Sequence, residues 1–285
     1  MGKCGLGTFF LLADPRLSAL IRGKGFSLIA VIQLGRVDYS TALKLQHTLV
    51  ELRKARRITD ALLLLEHLPV ITLGRNAKRA NVLVSEDQLA RAGVEIFECD
   101  RGGDVTYHGP GQLVGYPIFD LRGFTPRLGA VEFVRKLEEM LIRTCADFGV
   151  ATHRVRGMTG VWTLRNEAKI AAIGVHISRG VTSHGFALNV STDLDHFKLI
   201  VPCGIGNKPV TSLDAALGAA YPGIAVKPLT LDEVSESIAR NFGRAFGNEI
   251  LWVDTLDALQ GHSVGVPMKP PANLRELHDD ETFWA

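Results

Sequence analysis

The sequence predicts a mixed α/β domain of the α+β type, one mixed β-sheet flanked by helices, on three observations. Helical and strand-like segments interleave along the chain. In mid-chain, however, three strand-rich segments, 159–164, 169–177 and 186–191, crowd together with no helix between them. That crowding calls for hairpins and antiparallel neighbours, and fits a regular βαβα nucleotide fold poorly. The 285 residues are 46% hydrophobic with a mean hydropathy of +0.14, enough for one full core, and no repeat or linker divides them.

The elements follow in order. Residues 27–34 read as a strand, and Asp38 is placed to cap a helix whose face is Ala42, Leu45, Leu49 and Leu52. Residues 61–66 and 70–73 read as neighbouring strands around Pro69. Ser85-Glu86-Asp87-Gln88 is a capping box for a short helix that Gly93 ends. Val94, Ile96 and Phe97 are strand-like, as are Leu113, Val114, Tyr116 and Ile118. Val131, Val134, Leu137, Leu141, Cys145 and Phe148 form one helical face. After the three crowded strands, Thr230-Leu231-Asp232-Glu233 is a second capping box, opening a helix that reaches about Phe246.

These elements set a domain at 27–258, with a poorly anchored extension at 1–26 and a Pro-containing tail at 259–285. The apolar run 8–13 is cut by Asp14, Pro15 and Arg16, too short for a signal or a membrane span. Met1-Gly2-Lys3 lacks the Ser or Thr that myristoylation wants at position 6, where Leu6 stands. A formal net charge of +2 implies no global field for nucleic acid. Cys4, Cys99, Cys145 and Cys203 form no metal-type pair or disulfide pattern, so reduced thiols in a cytoplasmic protein are expected, with no metal site.

The most informative stretch runs from Arg101 to Gln112: Arg101, Gly102, Gly103, Asp104, Val105, Thr106, Tyr107, His108, Gly109, Pro110, Gly111, Gln112. Four glycines and a proline in twelve residues exclude a helix and let the backbone approach a ligand closely. Interspersed polar groups could orient a substrate, and a loop held between strands is where folds place chemistry.

Two residues stand out as reactive. Cys203 sits at a bend between Pro202 and Gly204, with little side-chain bulk against an approaching ester. Cys145 belongs to a helix's apolar face and reads as core, while Cys99 abuts the Gly-rich stretch and is the rival nucleophile. Lys169 opens the apolar strand Ile170-Ala171-Ala172-Ile173-Gly174, either at a wet sheet end or partly desolvated. An ammonium near a thiol favours the thiolate, so a Cys–Lys pair can activate each other. His184 and His108 compete with Lys169 as the base, and spacing does not choose among the three.

At these residues the sequence resembles the lipoyl(octanoyl) transferases, the LipB family. The similarity rests on Arg101 to Gln112 with Leu73-Gly74-Arg75 upstream. Gly160-Val161-Trp162, Lys169 to Val175, Ser183-His184-Gly185 and Val201-Pro202-Cys203-Gly204-Ile205 follow in the family's order. The resemblance covers about 31–253. It implies a fold like the catalytic domains of biotin and lipoate protein ligases, and octanoyl transfer from acyl carrier protein to a lysine of a lipoyl domain. The implied acceptors are the lipoyl domains of 2-oxoacid dehydrogenase subunits and the glycine cleavage H protein. Cys203 is implied as the acyl-thioester nucleophile, with Lys169 tuning it and moving protons. Arg101 through His108, Ala172, Ile173, Gly174, Gly185, Phe186 and Ala187 are the implied substrate contacts, with Arg75 and His184 in support.

No cofactor is needed on this reading, because the acyl group arrives activated; nucleic acid and membrane are not expected partners, and a monomer is expected. Basic residues Arg53, Lys54, Arg56, Arg57, Lys78 and Arg79 are candidates to receive an acidic carrier, though a helix end collects such charges anyway. A lipoate ligase that activates free acid with ATP, or a non-catalytic acyl-binding relative, are the alternatives.

Overall fold

Strand β1 (Leu28–Val37) lies one strand in from an edge of the large sheet, pairing in parallel with both β2 (Asp60–His67) and the edge strand β11 (Glu249–Trp252). Parallel neighbours need a crossover. Helix α1 (Tyr39–Lys54) supplies it between β1 and β2, and the Asp38 carboxylate caps it by accepting from Thr41 N at 2.8 Å. The computed structural model describes residues 28–165, 167–202, 208–223, 225 and 227–260.

Beyond β2 the sheet continues antiparallel through β6 (Gln112–Ile118), β10 (Val181–Asn189), β9 (Lys169–Ser178), β8 (Met158–Thr163) and β7 (Thr152–Val155). This is the expected mixed sheet, its antiparallel half built from the crowded mid-chain segments. A second sheet orders β4 (Glu95–Glu98), β3 (Val70–Leu73) and β5 (Val105–His108). The turn at Pro69 therefore sends β2 and β3 into different sheets.

Both faces of the large sheet are covered, which explains why β2 can be the near-continuous apolar run Ala61-Leu62-Leu63-Leu64-Leu65 and be buried throughout. Leu62 and Leu64 join Ile29 and Val31 beneath α3 (Ala130–Asp147), α4 (Leu213–Ala220) and α5 (Leu231–Phe246). Ala61, Leu63 and Leu65 meet Ala42, Leu45 and Leu49 of α1 on the other face. Leu259 is buried on that α1 face too, so the core reaches the last described residues.

Both capping boxes form, at Ser85 before α2 (Glu86–Arg91) and at Thr230 before α5. Three expectations change. Val131 is 76% exposed, because α3 begins only at Ala130 and its first turn faces solvent; Phe133 takes the core place. Strand β10 begins at Val181, not at 186, since its polar residues are buried rather than solvated. The Gly-rich stretch is not one loop, for its centre is β5, antiparallel to β3. Strands β7 and β11 and helix α4 carry no strong sequence signal. Among the described residues no helix is long and apolar enough to cross a membrane.

Leu62 is wholly buried in the core on the α3–α5 face of the sheet, so Leu62→Ala should cost about 2–5 kcal/mol in urea unfolding. A change below ~0.5 kcal/mol would contradict this view of the core.

Candidate active site

A cavity of about 230 Å³ lies where β5 faces β6, β9 and β10. It exceeds the ~150 Å³ apolar cavity that admits a benzene ring. Residues 101–104 line it, stitched on one side by Arg75 N to Arg101 O (3.0 Å) and Asn76 N to Gly103 O (3.1 Å), and on the other by Gly102 N to Val175 O (3.1 Å). The approach to β9 is close enough that a Cβ at Gly174 would stand 2.6 Å from Gly102 O, which explains that glycine. The Gly102 N–H is committed to Val175 and is not free to donate to a substrate oxygen.

The Arg101 side chain is buried and held by neutral acceptors. Its Nη2 donates to Thr72 O at 2.6 Å and to Thr72 Oγ1 at 3.0 Å, and Nε donates to the same hydroxyl at 3.1 Å. Among the described residues no carboxylate lies within ion-pair distance of it. A buried cation so placed favours negative charge developing in the cavity it lines.

His108 is fixed in one tautomer. Gln112 Nε2 donates to Tyr107 O (3.1 Å) and Asn189 Oδ1 (2.9 Å), so its Oε1 is turned to His108 Nδ1 at 2.7 Å. Nδ1 therefore carries the proton and Nε2 the lone pair. Burial, with His67 and Arg101 nearby, holds this imidazole well below the usual range and hence neutral. Beside it stand Tyr39, stacked at 6.3 Å, and His67, which bridges Val37 O (2.8 Å) and the Tyr116 hydroxyl (2.7 Å). The buried Tyr39 hydroxyl has no hydrogen bond of normal geometry among the described residues, and the Cys99 thiol, Tyr116 and Arg101 lie around it.

Lys169, the first residue of β9, is desolvated rather than at a wet sheet end. Its N–H donates to Pro209 O at 2.8 Å, and its C=O accepts from Thr211 N at 2.9 Å. Its ammonium sits 5.0 Å from the centre of the buried Trp162 ring, a cation–π contact. His184 Nε2 meets Asp100 Oδ1 at 2.7 Å, and its backbone N donates to Gln46 Oε1 at 2.7 Å.

All the expected substrate contacts line this cavity except Val105 and Tyr107. Alternation along β5 explains the exception, since Thr106 and His108 face the cavity while Val105 and Tyr107 pack on Phe197 and Ile200. Arg75 is exposed and contributes its backbone. Cys203, like Cys4, lies outside the described residues. Cys145 is core as expected, its thiol pushed up to about 12 by burial. Cys99 is half-buried and donates to Leu73 O at 3.5 Å. Of the basic residues, Arg53 pairs with Asp60, Lys54 with Glu51 and Arg79 with Glu86. Of the residues that line the cavity, sequence reasoning does not single out Tyr39, which reads simply as the residue after a helix cap, Val114 and Tyr116, which read as strand residues among others, or Gly157, Met158 and Thr159. Asp100, which bonds His184, is not singled out either.

Burial holds His67 down at about 4, although Val37 O and Asp38 pull the other way. The unfolded chain therefore binds a proton below about pH 6.5 that the folded protein refuses, and stability falls with pH from there towards 4. His67 alone should account for about 2 kcal/mol lost between pH 7 and pH 5 in urea unfolding. A His67→Gln variant should show a correspondingly shallower decline; an unchanged slope would contradict a neutral buried His67.

Residues 38–243 match the lipoyl protein ligase A/B catalytic domain. An octanoyltransferase of Koribacter versatilis is 60% identical over 255 residues, 89% of this chain and 98% of that one. One from Acidobacterium capsulatum is 60% identical over 234 residues, 79% and 93% of the two chains. In fold, the bi-partite lipoate protein ligase of Thermoplasma acidophilum aligns with a TM-score of 0.61 at 16% identity, covering 80% of this chain and 87% of that one. A lipoate-protein ligase A bound with ATP aligns at 0.59 and 15% identity, covering 82% and 92%. The chain belongs to the lipoyl protein ligase A/B catalytic domain family, on its octanoyltransferase side, and is an acyltransferase.

Proposed function

We propose that this protein transfers an octanoyl group from octanoyl-acyl carrier protein to a specific lysine of a lipoyl domain, in the cytoplasm, through a thioester on Cys203. The observation that carries the reading is how the flanks of Cys203 are held. Val201 N donates to Asn81 O at 2.7 Å, and the chain after residues 203–207 is bound to Lys169 through Pro209 and Thr211. Pro202, Lys169 and Val210 line one small hollow beside the main cavity. Five residues must span these anchors, and Cys203 is the first of them.

In the first half-reaction the Cys203 thiolate attacks the carrier thioester, and the departing sulfur takes a proton from the Lys169 ammonium. One thioester replaces another, so little driving force is needed. In the second half the neutral amine of the acceptor lysine attacks the Cys203 thioester; the amide C–N bond forms, the C–S bond breaks to return the Cys203 thiolate, and the proton lost by the amine restores the Lys169 ammonium. The Arg101 guanidinium lines the cavity with no carboxylate paired to it among the described residues, and supports negative charge on the carbonyl oxygen. Val114, Ala172, Ile173, Phe186 and Ala187 give the acyl tail an apolar wall. Burying the tail contributes about 0.8 kcal/mol per CH₂, roughly 5 kcal/mol in all.

The acceptor class is supported by the lipoyl domain named with the Thermoplasma ligase. Identity of 60% to octanoyltransferases favours group transfer over ATP-driven ligation. Steady-state rates with octanoyl-carrier and lipoyl domain, without ATP, should give the parallel reciprocal plots of a double displacement. Intersecting plots would contradict the acyl-enzyme, and a requirement for ATP would favour the ligase. Lys169→Ala should slow alkylation of Cys203 at neutral pH by roughly tenfold or more. A parental alkylation rate would remove Lys169 from the thiol's activation.

A further inference from the structure

The reaction proposed for Cys203 rests on the Lys169 side chain facing the cavity, and a regular strand would not put it there. Alternation along β9 would give Lys169 the face of Ala171, which is buried in the core beneath α3–α5. Instead Lys169 and Ala172 both line the cavity, while Ile170 and Ala171 both belong to that core. The register accounts for the change. Val161 pairs with Ala171, but the next residue, Trp162, pairs with Lys169, so β9 carries one residue more than β8 at this point. Such a bulge re-aims a side chain, and here it turns Lys169 away from the core.

The bulge is held from outside the sheet. Gly160, on β8 beside it, donates its N–H to Glu138 Oε1 of α3 at 3.2 Å. Gly160 runs at φ 121°, a backbone that favours glycine, and a Cβ there would stand 2.6 Å from Ala171 O. The same Cβ would stand 3.3 Å from Lys169 Cε, so this backbone lies directly against the lysine stem. Glu138 itself is fully buried, and its other oxygen accepts from Arg135 Nη1 at 2.6 Å and Arg154 Nε at 3.0 Å. Both arginines reach water, with side chains 52% and 35% exposed, and Arg154 also pairs with Glu139. An ion pair with such residues does not require a buried carboxylate, because burial costs the charge its hydration. An acceptor for the buried Gly160 N–H does require one.

We propose that Glu138 is a positioning residue for the transfer reaction. By holding Gly160 it fixes the bulge, and through the bulge it keeps the Lys169 ammonium in the cavity, against the Trp162 ring that stands across from it. The carboxylate touches neither the cavity nor the reacting groups; it acts through one glycine.

Two conservative variants separate this role from that of a simple tether between α3 and the arginines. Glu138→Gln keeps an oxygen for the Gly160 N–H and gives up the charge. Glu138→Asp keeps the charge and withdraws its oxygens by one methylene. With rates normalised to the folded fraction from circular dichroism, Glu138→Asp should slow both octanoyl transfer and alkylation of Cys203 at neutral pH about tenfold. Glu138→Gln should retain most of both rates. In a Lys169→Ala background Glu138→Asp should cause no further loss, because no amine is left to misplace. A tether would rank the variants the other way, and its losses would add to that of Lys169→Ala. Either of those results, or parental rates in Glu138→Asp, would overturn the positioning role. Parental rates in Lys169→Ala alone would instead bring down the reading of Lys169, and the role of Glu138 with it.

Discussion

The site depends on a backbone clamp at the first residue of β9. Lys169 donates to Pro209 O at 2.8 Å and accepts from Thr211 N at 2.9 Å, so a segment forty residues downstream runs as a short parallel partner to the end of a strand. From Thr211 the constraint passes to Asn189 Nδ2 at 2.9 Å, then through Asn189 Oδ1 to Gln112, and from Gln112 to His108. One connected set of bonds thus fixes a lysine, an imidazole and the exit of the chain that bears Cys203. Trp162, beneath the ammonium, completes the seat.

Burial decides the character of the groups gathered there. Val114, Ala172, Ile173, Phe186 and Ala187 make an apolar wall that suits an acyl chain, yet the same cavity is lined by Arg101, His108, His184 and two tyrosines. Desolvation keeps the imidazoles neutral, and each polar atom that the fold satisfies directs the lone pair of its neighbour. The same burial that makes His67 a liability in acid gives the cavity bases that are uncharged at neutral pH. Stability and reactivity here draw on one cause.

Much of this is legible in the sequence, and particular residues show why some is not. The periodicity of Ala42, Leu45 and Leu49 and both capping boxes are readable because local chemistry determines them. The segment 101–112 is recognisable as a site, but its glycines and proline obscure β5, whose pairing with β3 is a long-range interaction. Without that strand the alternation separating Thr106 and His108 from Val105 and Tyr107 is invisible. Asp100 acquires meaning only across eighty-four residues, when it meets His184. Val131 fits the helical stripe of α3 and fails because a stripe does not say where the first turn leaves the core. Lys169 is readable as one of two extremes, and only the covering segment 209–211 decides for burial.

In the proposed function the acyl group rests covalently on Cys203 between donor and acceptor. Mixing the protein with octanoyl-acyl carrier protein alone, then measuring intact mass and mapping the modified peptide, addresses it most directly. A single octanoyl adduct on Cys203 is expected, one that disappears in Cys203→Ala and is discharged by the lipoyl domain. An adduct that persists in that variant, on Cys99 or elsewhere, or transfer that proceeds with no adduct at all, would contradict it.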